Sequence, residues 1–135
     1  MKRKILIIVS SPRKGGNSEL LCEAFAKSAR EAGHEVELLS LGGKKIACCS
    51  GCGACAESRV CVQKDDMAGI LDKMVEADTI VLSTPVYFYT MCAQLKTLID
   101  RTVPRYTEIS GKGFYFIATA ADTNKASLER TIESL

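Results

Sequence analysis

Residues Ile5-Leu6-Ile7-Ile8-Val9 are apolar without a break and rich in β-branched side chains. That pattern predicts a strand buried on both faces, as in a parallel sheet. A polar loop with Pro12 and two glycines follows, Ser10 to Gly16. Asn17 or Ser18 is placed to cap the next helix, and a helical period gives it an inner face of Leu21, Ala24, Phe25, Ser28, Ala29 and Ala32. Gly33 ends that helix at its C′ position. From Glu35 to Leu41 polar and apolar residues alternate, with Val36 and Leu38 inward, which predicts a second strand at a sheet edge.

Residues 42–65 have no period and contain most of the cysteines. An unstructured connection that long is uncommon in a compact domain unless it is functional or held by a ligand. Asp65-Asp66 then caps a helix with Ile70, Leu71, Met74 and Val75 on one face. Thr79 to Ser83 reads as a buried strand, and Thr84 to Tyr89 as a loop with exposed aromatics. Thr90 starts a helix carrying Ala93, Leu95, Leu98 and Ile99, which stops before Pro104. Phe114 to Thr119 is a fourth strand, and Ala126 to Leu135 begins a last helix. Strands alternating with helices predict a single α/β domain with a parallel sheet. The last helix should feed a fifth strand. Its absence from the sequence leaves three expectations: a fragment, a sheet completed by a partner, or a four-stranded sheet with a bare edge.

Composition narrows the function. A chain of 135 residues, 47% hydrophobic and 25% charged, fits one globular domain. A net charge of +2 leaves no nucleic-acid footprint, and no apolar stretch reaches the roughly 18 residues that span a bilayer. The start, Lys2-Arg3-Lys4 before the apolar run, mimics a signal peptide, but the run is too short and no small-residue cleavage site follows. A cytoplasmic protein is expected. Of seven cysteines, Cys48, Cys49, Cys52, Cys55 and Cys61 fall in the loop. In a reducing compartment such clustering points to metal or redox chemistry rather than structural disulfides. Cys22 and Cys92, apart from the cluster, read as small buried hydrophobes.

Open parallel sheets bind ligands beyond the carboxyl ends of their strands, near the point where strand order reverses. Residues 10–18, 84–90 and 119–124 are therefore the expected site. The first of these loops combines hydroxyls, an amide, Arg13, Lys14 and glycines at a helix N-terminus, a setting that favours an anion such as phosphate. It matches neither the P-loop nor the dinucleotide fingerprint. A solvated turn with an ordinary cap would leave the same letters. His34 reads as a surface turn residue, Lys44-Lys45 as a solvated turn, and Asp100-Arg101 as a local ion pair or a subunit contact.

Ser10-Ser11-Pro12-Arg13 with Gly16-Asn17-Ser18, Cys52-Gly53-Ala54-Cys55, Asp65-Asp66-Met67 and Thr84-Pro85-Val86-Tyr87-Phe88 occur in this order. Together they resemble the NADPH-dependent FMN reductase family, and within it the iron–sulfur flavoproteins, over essentially the whole chain. The resemblance implies a flavodoxin-like three-layer sandwich that binds FMN non-covalently, as a homodimer or homotetramer. It further implies that Ser10, Arg13, Asn17 and Ser18 hold the FMN phosphate. Pro85, Val86, Tyr87 and Phe88 would run along the isoalloxazine, where fixed amide dipoles stabilise charge on the reduced ring. Thr119, Ala120 and Ala121 match the small-residue loop that lies against the flavin.

Cys49-x2-Cys52-x2-Cys55-x5-Cys61 offers four thiolates in a short span. Zinc sites usually separate two C-x-x-C pairs by a dozen or more residues, whereas overlapping C-x2-C steps with a fourth cysteine nearby suit a cubane 4Fe–4S cluster. A zinc site, a dithiol or plain packing remain open readings, and Cys48 leaves the register of the first ligand open. The expected function is an FMN-binding oxidoreductase. Its electrons come from NAD(P)H or a ferredoxin-type donor and pass to a small-molecule or protein acceptor, with flavin and cysteines at the same end of the sheet. The alternative is a cluster-free NAD(P)H:FMN or quinone reductase with structural or redox-active cysteines. Because the flavin carries the chemistry, no catalytic acid, base or nucleophile is assigned.

Overall fold

The apolar run forms β1 (Lys4–Val9), at the centre of the sheet in a computed structural model that describes residues 1–135. The elements that follow are α1 (Asn17–Glu31), β2 (Glu35–Ser40), the short α2 (Cys55–Ser58), α3 (Met67–Glu76), β3 (Thr79–Tyr87), β4 (Thr90–Met91), α4 (Ala93–Asp100), a 3-10 turn at Val103–Arg105, α5 (Tyr106–Ile109), β5 (Gly113–Thr119) and α6 (Lys125–Glu133). Ile7 pairs with Leu38 of β2 on one side and Val81 of β3 on the other, and Val81 pairs with Tyr115 of β5, all parallel. The parallel order β2-β1-β3-β5 reverses direction between β1 and β3, the flavodoxin-like switch point.

Strands buried on both faces need helices on both faces. Leu6, Ile8, Ile80 and Leu82 pack with Met67, Ile70, Leu71 and Met74 of α3 and Leu95 and Leu98 of α4 in the larger core. Ile5, Ile7, Val9 and Val81 pack with Cys22 and Ala26 of α1 in a smaller one. Both isolated cysteines are buried packing residues, and burial pushes the Cys22 thiol up. Gly33, at φ +88°, closes α1 in a Schellman arrangement: the His34 amide donates to Ala29 O and the Gly33 amide to Arg30 O. No helix is long and apolar enough to cross a membrane.

Several expectations are corrected. The buried face of α1 is Ser18, Cys22 and Ala26, not the stripe through Leu21, Ala24, Ser28 and Ala32. Small residues face the sheet so that the helix can lie close. Leu21, Ala24 and Ser28 instead line an open groove of about 960 Å³ with Phe25, Tyr115 and Ile117. Strand β2 uses both faces: Val36 and Leu38 meet the smaller core and Leu39 the larger. Neither Asn17 nor Ser18 caps α1; the N-cap is Gly16, without a side-chain bond, and both are already helical. Thr90 starts no helix, because β3 runs on through Tyr87 and Val86 and Tyr87 pair back onto Met91 and Thr90.

Candidate functional site

The carboxyl ends of β1, β3 and β5 bring the three expected loops together. Ser18 Oγ at the start of α1 stands 2.7 Å from Thr119 Oγ1 at the end of β5, and the Ser10 amide donates to Ser83 O at 3.2 Å. Thr84 Oγ1 accepts from the Cys92 amide at 2.9 Å, which ties the end of β3 to the start of α4. The Ser10 hydroxyl faces inward, donating to Ser83 O with its oxygen 3.1 Å from Cys92 Sγ. Arg13 and Asn17 are exposed.

Since α1 has no side-chain cap, its first-turn amides stay open to an acceptor. The sequence reading missed Glu19, whose carboxylate accepts from the Gly15 amide and folds the loop back on the helix. Its position on the first turn of α1 was the available signal. Arg13, the open amides and the positive end of the α1 dipole form a donor set suited to a phosphate.

Phe88 and Tyr89 form the two-residue turn between β3 and β4, and both have positive φ, +47° and +70°. Such hairpin turns favour Asn-Gly, since a bulky side chain is strained there. Phe88 is nonetheless 94% exposed, and its ring meets Tyr89 edge-on with centroids 5.5 Å apart. Two strained, exposed aromatics over the mouth of a parallel sheet sacrifice stability for surface. Pro85 and Val86 are half-buried beneath them, Tyr87 is exposed, and Ala120 and Ala121 flank the end of β5.

The cysteine loop leaves the carboxyl end of β2 and runs along α4. Ile46 lies beside Ala93 and Thr97, Cys48 Sγ is 3.8 Å from Thr97 Oγ1, and the later cysteines surround a cavity at the C-terminal end of the helix. Cys49, Cys52, Cys55 and Cys61 all line this cavity of about 550 Å³, walled also by Arg101, Val103, Pro104 and Tyr106. Cys48 stays outside it. Gly51 and Gly53 have φ of +67° and +72°, so the backbone folds round its own sulfurs. The Gly51 amide donates to Cys49 Sγ at 3.4 Å. The Ala54 amide, then the Ser50 hydroxyl, hold the exposed Cys52 thiol below its ordinary range.

No three His, Cys, Asp or Glu side chains converge on a single ion. A mononuclear zinc site needs all its sulfurs about 2.3 Å from one point. A cubane spreads its four thiolates over four irons, and four of the cysteines line one cavity.

Arg101 closes this loop, and its partner is not Asp100, which instead pairs with Lys96. Its Nη1 donates to Ala47 O at 2.7 Å, Gln63 Oε1 at 3.1 Å and Asp65 Oδ2 at 2.7 Å, and its Nη2 to Asp65 Oδ1 at 3.0 Å. Asp65 also accepts from the amides of Ala47 (3.0 Å) and Met67 (3.1 Å). It thereby caps α3, while Asp66 receives the Lys45 amide. The Arg101 guanidinium, helped by those amides, holds the Asp65 carboxyl down at about 2. The sequence contains both residues, but their pairing joins positions far apart along the chain.

With this geometry in place the molecule is an α/β protein of flavodoxin-like architecture, its candidate loops at the β1/β3 switch point. Residues 3–131 match the NADPH-dependent FMN reductase family, and the chain belongs to that family. It is similar to an iron–sulfur flavoprotein of Archaeoglobus fulgidus, 40% identical over 112 residues, covering 83% of this chain and 51% of that protein. An iron–sulfur flavoprotein of Methanocaldococcus jannaschii is 45% identical over 101 residues, covering 75% and 52%. Among solved structures, an NAD(P)H:quinone oxidoreductase from Methanothermobacter marburgensis superposes with a TM-score of 0.74 at 18% identity, over 99% of this chain and 75% of that one. The chain spans about half the length of the curated relatives it matches.

Two predictions follow from the geometry of this site. Replacing the strained turn, Phe88→Asn with Tyr89→Gly, should raise the stability of the ligand-free protein by about 1–2 kcal/mol, read as a higher denaturant midpoint at unchanged slope. The Asp65 carboxyl has a folded pKa near 2 against an ordinary 3.8. Its contribution is therefore present above pH 4 and lost as pH falls towards 2, about 2 kcal/mol over that window. In acid-unfolding curves Asp65→Asn should flatten that segment and leave the wild type alone to lose it.

Proposed function

We propose that this chain is an FMN-binding redox unit of the NAD(P)H-dependent flavin oxidoreductase class, and that its cysteine loop holds a 4Fe–4S cluster through Cys49, Cys52, Cys55 and Cys61. The observation that carries the cluster is the single cavity lined by these four thiols, with backbone amides turned onto the sulfurs of Cys49 and Cys52. Family membership supports the flavin. FMN, when bound, supplies the chemistry that accepts a hydride and releases electrons one at a time.

In this reading Arg13 and the open amides at Asn17 and Ser18 hold the phosphate. Ser18, braced by Thr119, fixes the spacing between the first loop and the end of β5. Ser10 acts from beneath, since its hydroxyl is engaged with Ser83 and Cys92. Pro85 to Phe88 and Thr119 to Ala121 frame the ring. NAD(P)H or a ferredoxin-type protein is the donor, a small molecule or protein the acceptor, and the active assembly a homodimer or homotetramer in the cytoplasm.

The deciding measurement is an anaerobic absorbance spectrum with iron, sulfide and zinc determined on the same sample. Flavin bands with iron and sulfide are expected. Cys52→Ser or Cys55→Ser should abolish the iron and leave FMN bound. Flavin without iron would instead favour a cluster-free reductase, and protein that takes up neither would overturn the proposal. Arg13→Ala should weaken FMN about tenfold or more, the worth of a charge-assisted hydrogen bond, and leave riboflavin binding unchanged in a fluorescence-quenching titration. An equal loss for riboflavin would remove Arg13 from the phosphate site.

A further inference from the structure

Arg101 does more than tie the loop. Its side chain is only 2% exposed, four of its hydrogen bonds go to Ala47, Gln63 and Asp65, and Gln63 passes one on by donating to Cys48 O at 3.0 Å. Both arms of the cysteine loop are thus gripped by one guanidinium. Its Nε–H is different: it is buried and has no acceptor. A buried donor on a charged group that lacks a partner costs roughly 1–3 kcal/mol or more, and native structures rarely leave one without a reason.

The same side chain forms part of the wall of the cavity that the four thiols line. Cys61 is the cysteine on the arm that leads to Gln63 and Asp65, so the clamp and the sulfur belong to one segment.

We propose that Arg101 is the positioning residue of the cysteine site: its Nη atoms clamp the loop, and its Nε–H is kept to donate to sulfur, that of Cys61 or of the group the cysteines hold. This rests on the cluster reading given above. Hydrogen bonds to the sulfurs are one of the terms that set the potential of an iron–sulfur centre. A donor on a buried cation stabilises the more negative, reduced form, so Arg101 raises the potential. The clamp also explains why a loop with so little apolar burial keeps four thiols around one space: a planar, bidentate cation with donors to spare is suited to joining several acceptors at once.

The test uses anaerobically purified full chain with its cluster, and an EPR-monitored reductive titration. Arg101→Gln should lower the midpoint potential by at least about 59 mV, a tenfold change for a one-electron couple. A role confined to holding the loop would change iron retention but not the potential of the clusters that remain. Because this variant could fail to fold, a second measurement leaves Arg101 in place. Arg59, which also borders the cavity, is changed to Lys, arginine is labelled with nitrogen-15, and the reduced cluster is examined by pulsed EPR. A resolved coupling to arginine nitrogen is expected. Absence of that coupling, or an unchanged potential in Arg101→Gln, would overturn the assignment while leaving the cluster reading intact. Wild-type protein with no iron or sulfide would overturn both.

Discussion

The ion pair between Arg101 and Asp65 is the constraint on which the least regular stretch of the molecule, residues 42–65, depends. Ordering a backbone residue costs on the order of 1–2 kcal/mol, and residues 42–65 bury almost nothing apolar in return: Ile46 is the single residue of that stretch that packs on the core. What offsets the cost is polar and concentrated. One guanidinium and one carboxylate, both nearly out of water, gather Ala47, Gln63 and the first turn of α3 around themselves. A buried pair of this kind adds little net stability over an apolar substitute, yet removing one member is severe because the other is left unpaired. Its value here is geometric, since it holds the two ends of a cysteine-bearing loop at a fixed separation against α4.

The two candidate centres are built on different principles. At the carboxyl ends of the strands the parallel sheet supplies rigidity, and the loops need only short hydroxyl and amide contacts such as Ser18 to Thr119. The exposed pair Phe88-Tyr89 spends stability at that mouth, in a hairpin turn whose backbone suits glycine. At the cysteine loop there is no sheet to lean on. The rigidity comes from a clamp, and from glycines whose left-handed conformations turn amides towards sulfur. Helix α4 joins the two: Cys92 at its start is bonded to Thr84 beneath the first centre, and Arg101 at its end closes the second.

Much of this could be read from the residues in order. The buried strands β1 and β3, the Gly33 stop, the alternation into β2 and the cysteine spacing are all written in contiguous stretches, because local sterics and periodicity act over a few residues. Errors clustered where one residue's role depends on a distant neighbour. Thr84 to Tyr87 read as loop because Pro85 and three ring-bearing or branched residues carry no clear period, whereas pairing of Thr84 and Pro85 with β5 and of Val86 and Tyr87 with Met91 and Thr90 makes them strand. Periodicity alone turns α1 towards Leu21, the larger apolar side chain, while close packing on β1 and β3 favours the smaller Cys22 and Ala26.

The sequence by itself determined the class of fold, the family resemblance, the switch-point loops and the presence of four closely spaced thiols, because each depends on residues near one another along the chain. Only the tertiary structure decided which thiols share a cavity, that the loop runs from the end of β2 along α4, and that Arg101 answers Asp65 instead of Asp100. These are choices among partners far apart in sequence. A charged group can reach several opposite charges in an extended chain, and only burial, which makes an unpaired charge costly, selects one of them.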